Sequence, residues 1–247
     1  MLSAGGDGTM LGVSNAALDS GAEGITIAPL AYGNFNDMAL RQTDPLAVLA
    51  PDARRTTHTP LSVERNGELW RYAPAYATLG FTARAAATFE QQHSRNRLRS
   101  MPRALGMAAN IAQLGEAYFE HRNELLPAFH GSHSPVVRNA VTDVLFLNNK
   151  RAGRIIGSKT NYGETAEFGY VERDVRRILP NIPFGLAALA HRAPAAHMTD
   201  QTLSFESPVD IPVQTDGEST ILQDISQLRV YKDYSRPLTV LRAPRSR

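Results

Sequence analysis

Apolar and polar positions change their period several times along this chain, and each change marks an element. Residues 10–18, MLGVSNAAL, place Met10, Val13, Ala17 and Leu18 on one face at helical spacing. Gly21 and Gly24 end that helix, which is expected to begin near Thr9. GITIAPL (24–30) reads as a short buried strand rich in β-branched residues and stopped by Pro29. The loop AYGNFND follows, and DMALRQ reads as a helix with Asp37 in its first turn. Residues 1–42 therefore hold two loop-to-helix junctions. In a parallel α/β sheet both fall at the carboxyl edge of the strands, where ligands bind.

The period then shortens to two. LSVERNGELWRYAPAYATLGFTA (61–83) alternates around Asn66-Gly67, a strong hairpin signal. Trp70, Tyr72 and Tyr76 share one parity there, which reads as sheet packing. Residues 103–126 return to helical spacing through Leu105, Ala108, Ile111, Leu114, Tyr118 and Leu125. VTDVLFLNNKRAGRII (141–156) reads as two strands around a turn at Asn148-Asn149-Lys150. LSFESPVDIPVQTDGEST and ISQLRVYKD read as strands with tight turns, and RPLTVLRAPRSR adds a last short strand and a basic end. The pattern predicts an α/β segment followed by a mainly β domain with a helical insertion.

Composition narrows the function classes. The 247 residues suffice for one large domain or two small ones, and 43% hydrophobic with 20% charged residues is ordinary for a globular protein. Cysteine is absent, which excludes disulfides and thiolate metal sites and suits a reducing cytoplasm. No apolar run reaches the roughly 20 residues that span a bilayer. Formal net charge is only +2, lysine occurs only at Lys150, Lys159 and Lys232, and no nucleic-acid partner is indicated. His130 and His133 in FHGSHSP lie three apart without an evident third ligand and read as a polar loop. Arg95, Arg97, Arg99 and Arg103 read as a solvated helix face, with nucleotide phosphates or an anionic membrane as the alternatives.

Three short motifs carry chemistry. Gly5-Gly6-Asp7-Gly8-Thr9 has the glycines that let backbone amides approach an anion, ahead of a helix whose N-terminus is partly positive. Asp7 would repel a phosphate unless a metal or a substrate hydroxyl lies between them, so it favours phosphoryl transfer over plain anion binding. The competing reading is a tight strand-to-helix turn. Pro29-Leu30-Ala31-Tyr32-Gly33-Asn34-Phe35-Asn36-Asp37-Met38-Ala39 also reads as an Asx-rich turn with Asp37 as helix cap. Asp216-Gly217-Glu218, taken alone, is a hairpin turn.

In this order, GGDGT, then P-x-x-x-GNxND-x-A, then a late DGE after a β-rich stretch, the motifs resemble the diacylglycerol kinase catalytic family of bacterial lipid kinases and sphingosine kinases. Leu79-Gly80-Phe81-Thr82-Ala83 and the closing VQTDGEST and LRVYKDYSRPLTVLRAP extend the resemblance over most of the chain. GGDGT is shared with nicotinamide-dinucleotide kinases, whereas GNFND and DGE favour the lipid-kinase branch. The resemblance implies an N-terminal NAD-kinase-like parallel α/β domain followed by a β-sandwich-like C-terminal domain with a helical insertion. It assigns residues 1–58 to the first domain, 59–237 to the second, and 238–247 to a terminal strand and tail returning to the first. It also implies strands ahead of GGDGT, so the first domain is expected to be incomplete in this chain.

The implied activity is ATP- and Mg²⁺-dependent phosphorylation of a hydroxyl of diacylglycerol or a related lipid. The alternatives are a nicotinamide-dinucleotide kinase and an inactive truncated family member. By the resemblance, Gly5, Gly6, Asp7, Gly8 and Thr9 hold nucleotide phosphates, and Gly33, Asn36 and Asp37 frame the nucleotide site. Glu218 is the candidate general base with Asp7 as its competitor, and Asp216 shapes the turn that presents Glu218. No structural metal is assigned. The expected partners are a lipid substrate and the cytoplasmic face of the inner membrane, contacted peripherally, with a homodimer allowed.

Overall fold

The computed structural model describes residues 1–21, 24–32, 37–39, 44–95, 115–152 and 156–244. Strand β1 (Leu2–Gly5) runs directly into helix α1 (Asp7–Asp19), and β2 (Thr26–Ala31) returns parallel to β1, with Gly5 opposite Ala31. α1 starts at Asp7, earlier than its apolar pattern implies, because extended Gly6 serves as its N-cap. Pro29 lies inside β2 and does not end it. The Ala28 amide donates to Met1 O on the β1 side. The missing Pro29 amide therefore falls on the opposite edge, where pairing stops at Ile27 and no donor is needed. Asp37–Ala39 form a turn, and the rest of the expected second helix lies outside the described residues.

After β3 (Arg54–His58), β4 (Leu61–Arg65) and β5 (Glu68–Ala73) form the expected hairpin. Asn66 and Gly67 both have positive φ, 50° and 84°, as a two-residue hairpin turn requires. β6 (Tyr76–Gly80) is a separate strand beyond a turn, so Tyr76 does not share a strand with Trp70 and Tyr72. It ends at Gly80, where φ is 80° and an added Cβ would lie 2.2 Å from Thr142 O. The chain turns there into α2 (Phe81–Arg95), so Phe81–Ala83 are helical rather than a continuation of the strand. A further helix, α3, spans 115–121. Arg97, Arg99 and Arg103 lie outside the described residues, as does most of the remaining helical stretch read between 103 and 126.

β7 (Phe129–Gly131) and β8 (Ser134–Arg138) form a hairpin where a polar loop is expected. β9 (Asp143–Leu147) does not fold back on its successor. β10 (Arg151–Ala152) pairs with β11 (Ile156–Gly157), while β9 lies between β6 and the later strand β12 (Phe168–Arg173). Both edges of β9 are thus taken, and its two faces explain its unbroken apolar sequence. Val144 and Phe146 enter the core of the large sheet, while Leu145 and Leu147 face a second cluster with Met10, Leu18 and Ile27. α4 (Ile178–Leu189) and β13 (Ala196–Met198) lead into the long hairpin of β14 (Asp200–Thr215) and β15 (Glu218–Lys232).

The last strand, β16 (Leu238–Arg242), inserts between β2 and β3, parallel to the first and antiparallel to the second. The result is a mixed α/β fold with two large sheets besides the β10-β11 ribbon among the described residues. One is the four-stranded sheet β1-β2-β16-β3. The other is a ten-stranded antiparallel sheet, β13-β12-β9-β6-β14-β15-β4-β5, with β7 and β8 added along β14. The sheets share the cluster that joins α1 to β6, β9 and β12. Polar clamps reinforce this seam. Asn15 of α1 exchanges two 2.9 Å hydrogen bonds with the backbone of Tyr72. Buried His58 donates from Nε2 to Pro74 O at 2.7 Å, and burial together with the nearby Arg242 guanidinium lowers its imidazole to about 3. It is a neutral link between the sheets.

Candidate active site

The site begins where β1 becomes α1. Gly5, Gly6, Asp7, Gly8 and Thr9 occupy that junction, with Asp7 in the first turn of the helix. Gly5 is required by close approach, since a Cβ there would lie 2.3 Å from Thr9 Oγ1 and 2.7 Å from Thr9 Cβ. Gly5→Ala is expected to cost about 2 kcal/mol in unfolding free energy. Gly12→Ala, on the same helix with nothing within 4 Å of the new methyl, is expected to add up to about 1 kcal/mol. Urea unfolding of the two variants side by side checks both signs.

Asp7 is buried, and its Oδ1 accepts a 2.6 Å hydrogen bond from the Asp37 amide. The first loop is thereby fastened to the second. Asn149 Nδ2 donates to Asp37 O at 2.7 Å, and Arg242 donates to Met38 O, so the second loop is also tied to the large sheet and to β16. Gly33 and Asn36 lie outside the described residues. The crevice beneath the glycine loop, between Ser3, Met10, Pro29 and Met38, measures about 10 Å³. That is at most room for one water, so the crevice itself does not admit a phosphate.

Glu218 stands beside the glycine loop. It is the first residue of β15, and a methyl placed on Gly8 would lie 3.4 Å from Glu218 Oε1. Residues about 210 positions apart in the chain thus meet across the seam. The Glu218 side chain is 53% exposed, whereas Asp7 is only 4% exposed. Arg71 Nη1, from β5, donates to Glu218 Oε2 at 3.2 Å and to Thr215 Oγ1 at the same distance. The Arg71 guanidinium also stacks 4.7 Å from the Trp70 ring centroid.

Asp216 sits beneath this pair. Its Oδ1 accepts from the amides of Ala75 and Tyr76 at 2.8 and 2.9 Å, and its positive φ of 46° makes the turn that starts β15. Burial first, then the neighbouring Asp7, push its carboxyl well above the ordinary range. The two amides act against that shift, and Asp37 adds to it. Arg71 and the Ala75–Tyr76 amides are the partners that sequence reading missed. Arg71 lies on β5, which is separated from β15 by β4 in the sheet, and no local pattern reveals that the two meet. The only hint was that Arg71 and the Asp-Gly turn both belong to hairpins.

His130 falls in β7, and His133 Nε2 donates to Asp200 O at 2.9 Å. Among the described residues no three His, Asp or Glu side chains lie in a metal-binding arrangement. A separate cavity of about 610 Å³ lies between β12 and α4, lined in part by Arg173, Asp174, Arg177, Asn181 and Phe184.

No protein-family model and no curated protein sequence matches this chain. Solved structures do match. "A putative diacylglycerol kinase" from Bacillus anthracis str. Sterne superposes with a TM-score of 0.62 at 16% identity, covering 98% of this chain and 76% of the other. A structure described as one of the diacylglycerol kinases of the same organism gives 0.62 at 14% identity, covering 98% and 77%. The fold is the diacylglycerol kinase-like fold, with its parallel-strand sheet and large curled antiparallel sheet. Among the described residues no helix is long and apolar enough to cross a membrane.

Proposed function

We propose that this protein is an ATP-dependent lipid kinase that phosphorylates a hydroxyl of diacylglycerol or a related lipid. The observation that carries the reading is the approach of Glu218 to Gly8 at the start of α1, in a fold shared with diacylglycerol kinases. The amides of Gly6, Gly8 and Thr9 and the α1 N-terminus are suited to the nucleotide phosphates. Glu218 takes the proton from the lipid hydroxyl. The hydroxyl oxygen forms a bond to the γ-phosphorus, the bond from that phosphorus to the ADP oxygen breaks, and ADP leaves.

Exposure supports Glu218 over Asp7 as the base. Asp7 is buried and engaged by the Asp37 amide, while Glu218 is open to an incoming hydroxyl. Arg71 is a positioning residue that fixes the Glu218 rotamer through Oε2 and leaves Oε1 toward the loop. The residues present also fit magnesium in the form it usually takes with nucleotides. Magnesium is carried mainly by phosphate oxygens and keeps several waters, so it would arrive with the nucleotide, while Glu218 stays free for the proton and Asp7 stays buried. There it would neutralise charge developing on the phosphates. The protein would work in the cytoplasm, touching the inner membrane surface only peripherally.

The test is transfer of labelled γ-phosphate from Mg-ATP to detergent-dispersed diacylglycerol, sphingosine or ceramide, with NAD in a parallel reaction. Labelled lipid is the expected result. Label on NAD, or on nothing, overturns the proposal.

A further inference from the structure

We infer that α4 is a membrane-docking helix that lays its apolar face on a surface of anionic lipid. Around α4, at about 100° per residue, Ile178, Leu179, Ile182, Leu186 and Leu189 fall within a single arc of about 100°. These five side chains are 46 to 78% exposed. The opposite side of the helix faces the protein. Ala188 is buried, Phe184 packs on the seam cluster, and Asn181 with Phe184 lines the 610 Å³ cavity. The exposed arc is therefore neither the wall of that cavity nor part of the core. A helix that turns its leucines outward while its other face is anchored presents a continuous apolar patch, and such patches mark interaction surfaces.

Charge selects the occupant. From Val175 to Thr199 the chain contains no Asp or Glu, and its cations bracket the helix. Exposed Arg177 precedes Ile178, and exposed Arg192 follows the C-terminal turn. Arg176 is engaged bidentately by Asp174, which also lies 3.9 Å from Nε of Arg177, whose side chain stays 76% exposed. An apolar helical face with arginines at its ends is the composition of helices that lie in the plane of a bilayer interface, where the cations meet lipid phosphates. A second copy of the chain suits the face poorly. Two-fold pairing through α4 would bring arginine against arginine, whether the helices run parallel or antiparallel. The 12-residue helix is about 18 Å long and does not span a bilayer of about 30 Å. The anchor is placed to serve the site, because the cluster that receives Phe184 and Ala188 also receives Met10 and Leu18 of α1.

The identity of the partner rests on the lipid-kinase reading, but its test does not. Full-length protein without nucleotide is sedimented with vesicles of phosphatidylcholine alone or with one-third phosphatidylglycerol. The expected result is binding that strongly favours the anionic vesicles. Leu179→Glu with Leu186→Glu should weaken it at least about tenfold, and Arg177→Glu with Arg192→Glu should abolish the preference for anionic lipid. All four side chains are exposed, so circular dichroism should be unchanged. Vesicle binding by the leucine variant equal to the parent's, or no binding by the parent, overturns the inference. So does a dimer in solution that the leucine substitutions dissociate, which would assign the face to a second copy. Binding without phosphate transfer leaves α4's role standing while the kinase reading fails. Transfer to dispersed lipid without vesicle binding does the reverse.

Discussion

Glu218→Gln is expected to lower the rate of phosphate transfer about 10³-fold while leaving ATP affinity within about twofold. The amide keeps the size of the side chain but cannot take a proton from the lipid hydroxyl. Folding should be untouched, because the side chain is half exposed and its partner, Arg71, is itself only partly buried. Two contrasts make the result specific. Arg71→Ala removes the contact to Glu218 Oε2 and to Thr215 but no reacting group, so turnover should fall only about tenfold with ATP affinity preserved. Asp7→Asn alters the buried group that fastens the first loop to the Asp37 amide, so it should reduce both turnover and ATP affinity. Initial rates and calorimetric titration of ATP for the three variants read this out. Equal, mild losses from Glu218→Gln and Asp7→Asn would mean that the base is misassigned.

Turn chemistry made half of this site legible in the sequence. Asn66-Gly67 and Asp216-Gly217 require positive φ at adjacent residues, and few sequences supply it, so both hairpins could be read directly. The glycines of GGDGT signal a close approach, and Thr9 packed against Gly5 is that approach. What could not be read was the assembly of distant strands. Arg71 reaches Glu218 although β5 pairs only with β4, and β4 pairs with the far end of β15 at Leu228–Lys232, so the contact depends on the curl of the whole sheet rather than on any local pattern. Asn148 and Asn149 look like turn residues but are buried. Asn148 donates to Thr59 O and Pro74 O, and Asn149 to Asp37 O, so tertiary partners replace the expected turn. α4 misleads in the opposite direction, since ILPNIPFGLAAL has the composition of a buried element and half of it faces outward.

Asp216 carries the largest expected effect on stability, and its sign depends on the replacement. Asp216→Ala removes the acceptor from the Ala75 and Tyr76 amides and places alanine at a φ of 46°. Two unpartnered buried donors and a left-handed alanine together should cost about 4 kcal/mol, roughly 10 °C in a chain of this size. Asp216→Asn keeps the acceptor oxygen and tolerates the left-handed turn while removing a charge that faces Asp7 and Asp37. Because burial and those neighbours raise the folded-state pKa of Asp216, the folded protein holds this proton more tightly than the unfolded chain does. The associated stability is fully present below the ordinary carboxylate range, near pH 4, and is lost as pH rises through the raised value. The asparagine variant has no such loss, so its stability relative to the parent should improve steadily from pH 4 upward. Urea unfolding of both proteins at pH 4.5, 6 and 8 measures that difference. A difference that stays flat with pH would show that Asp216 is ionised at no cost in the folded state, and that the acidic floor beneath Glu218 is already neutralised by other groups.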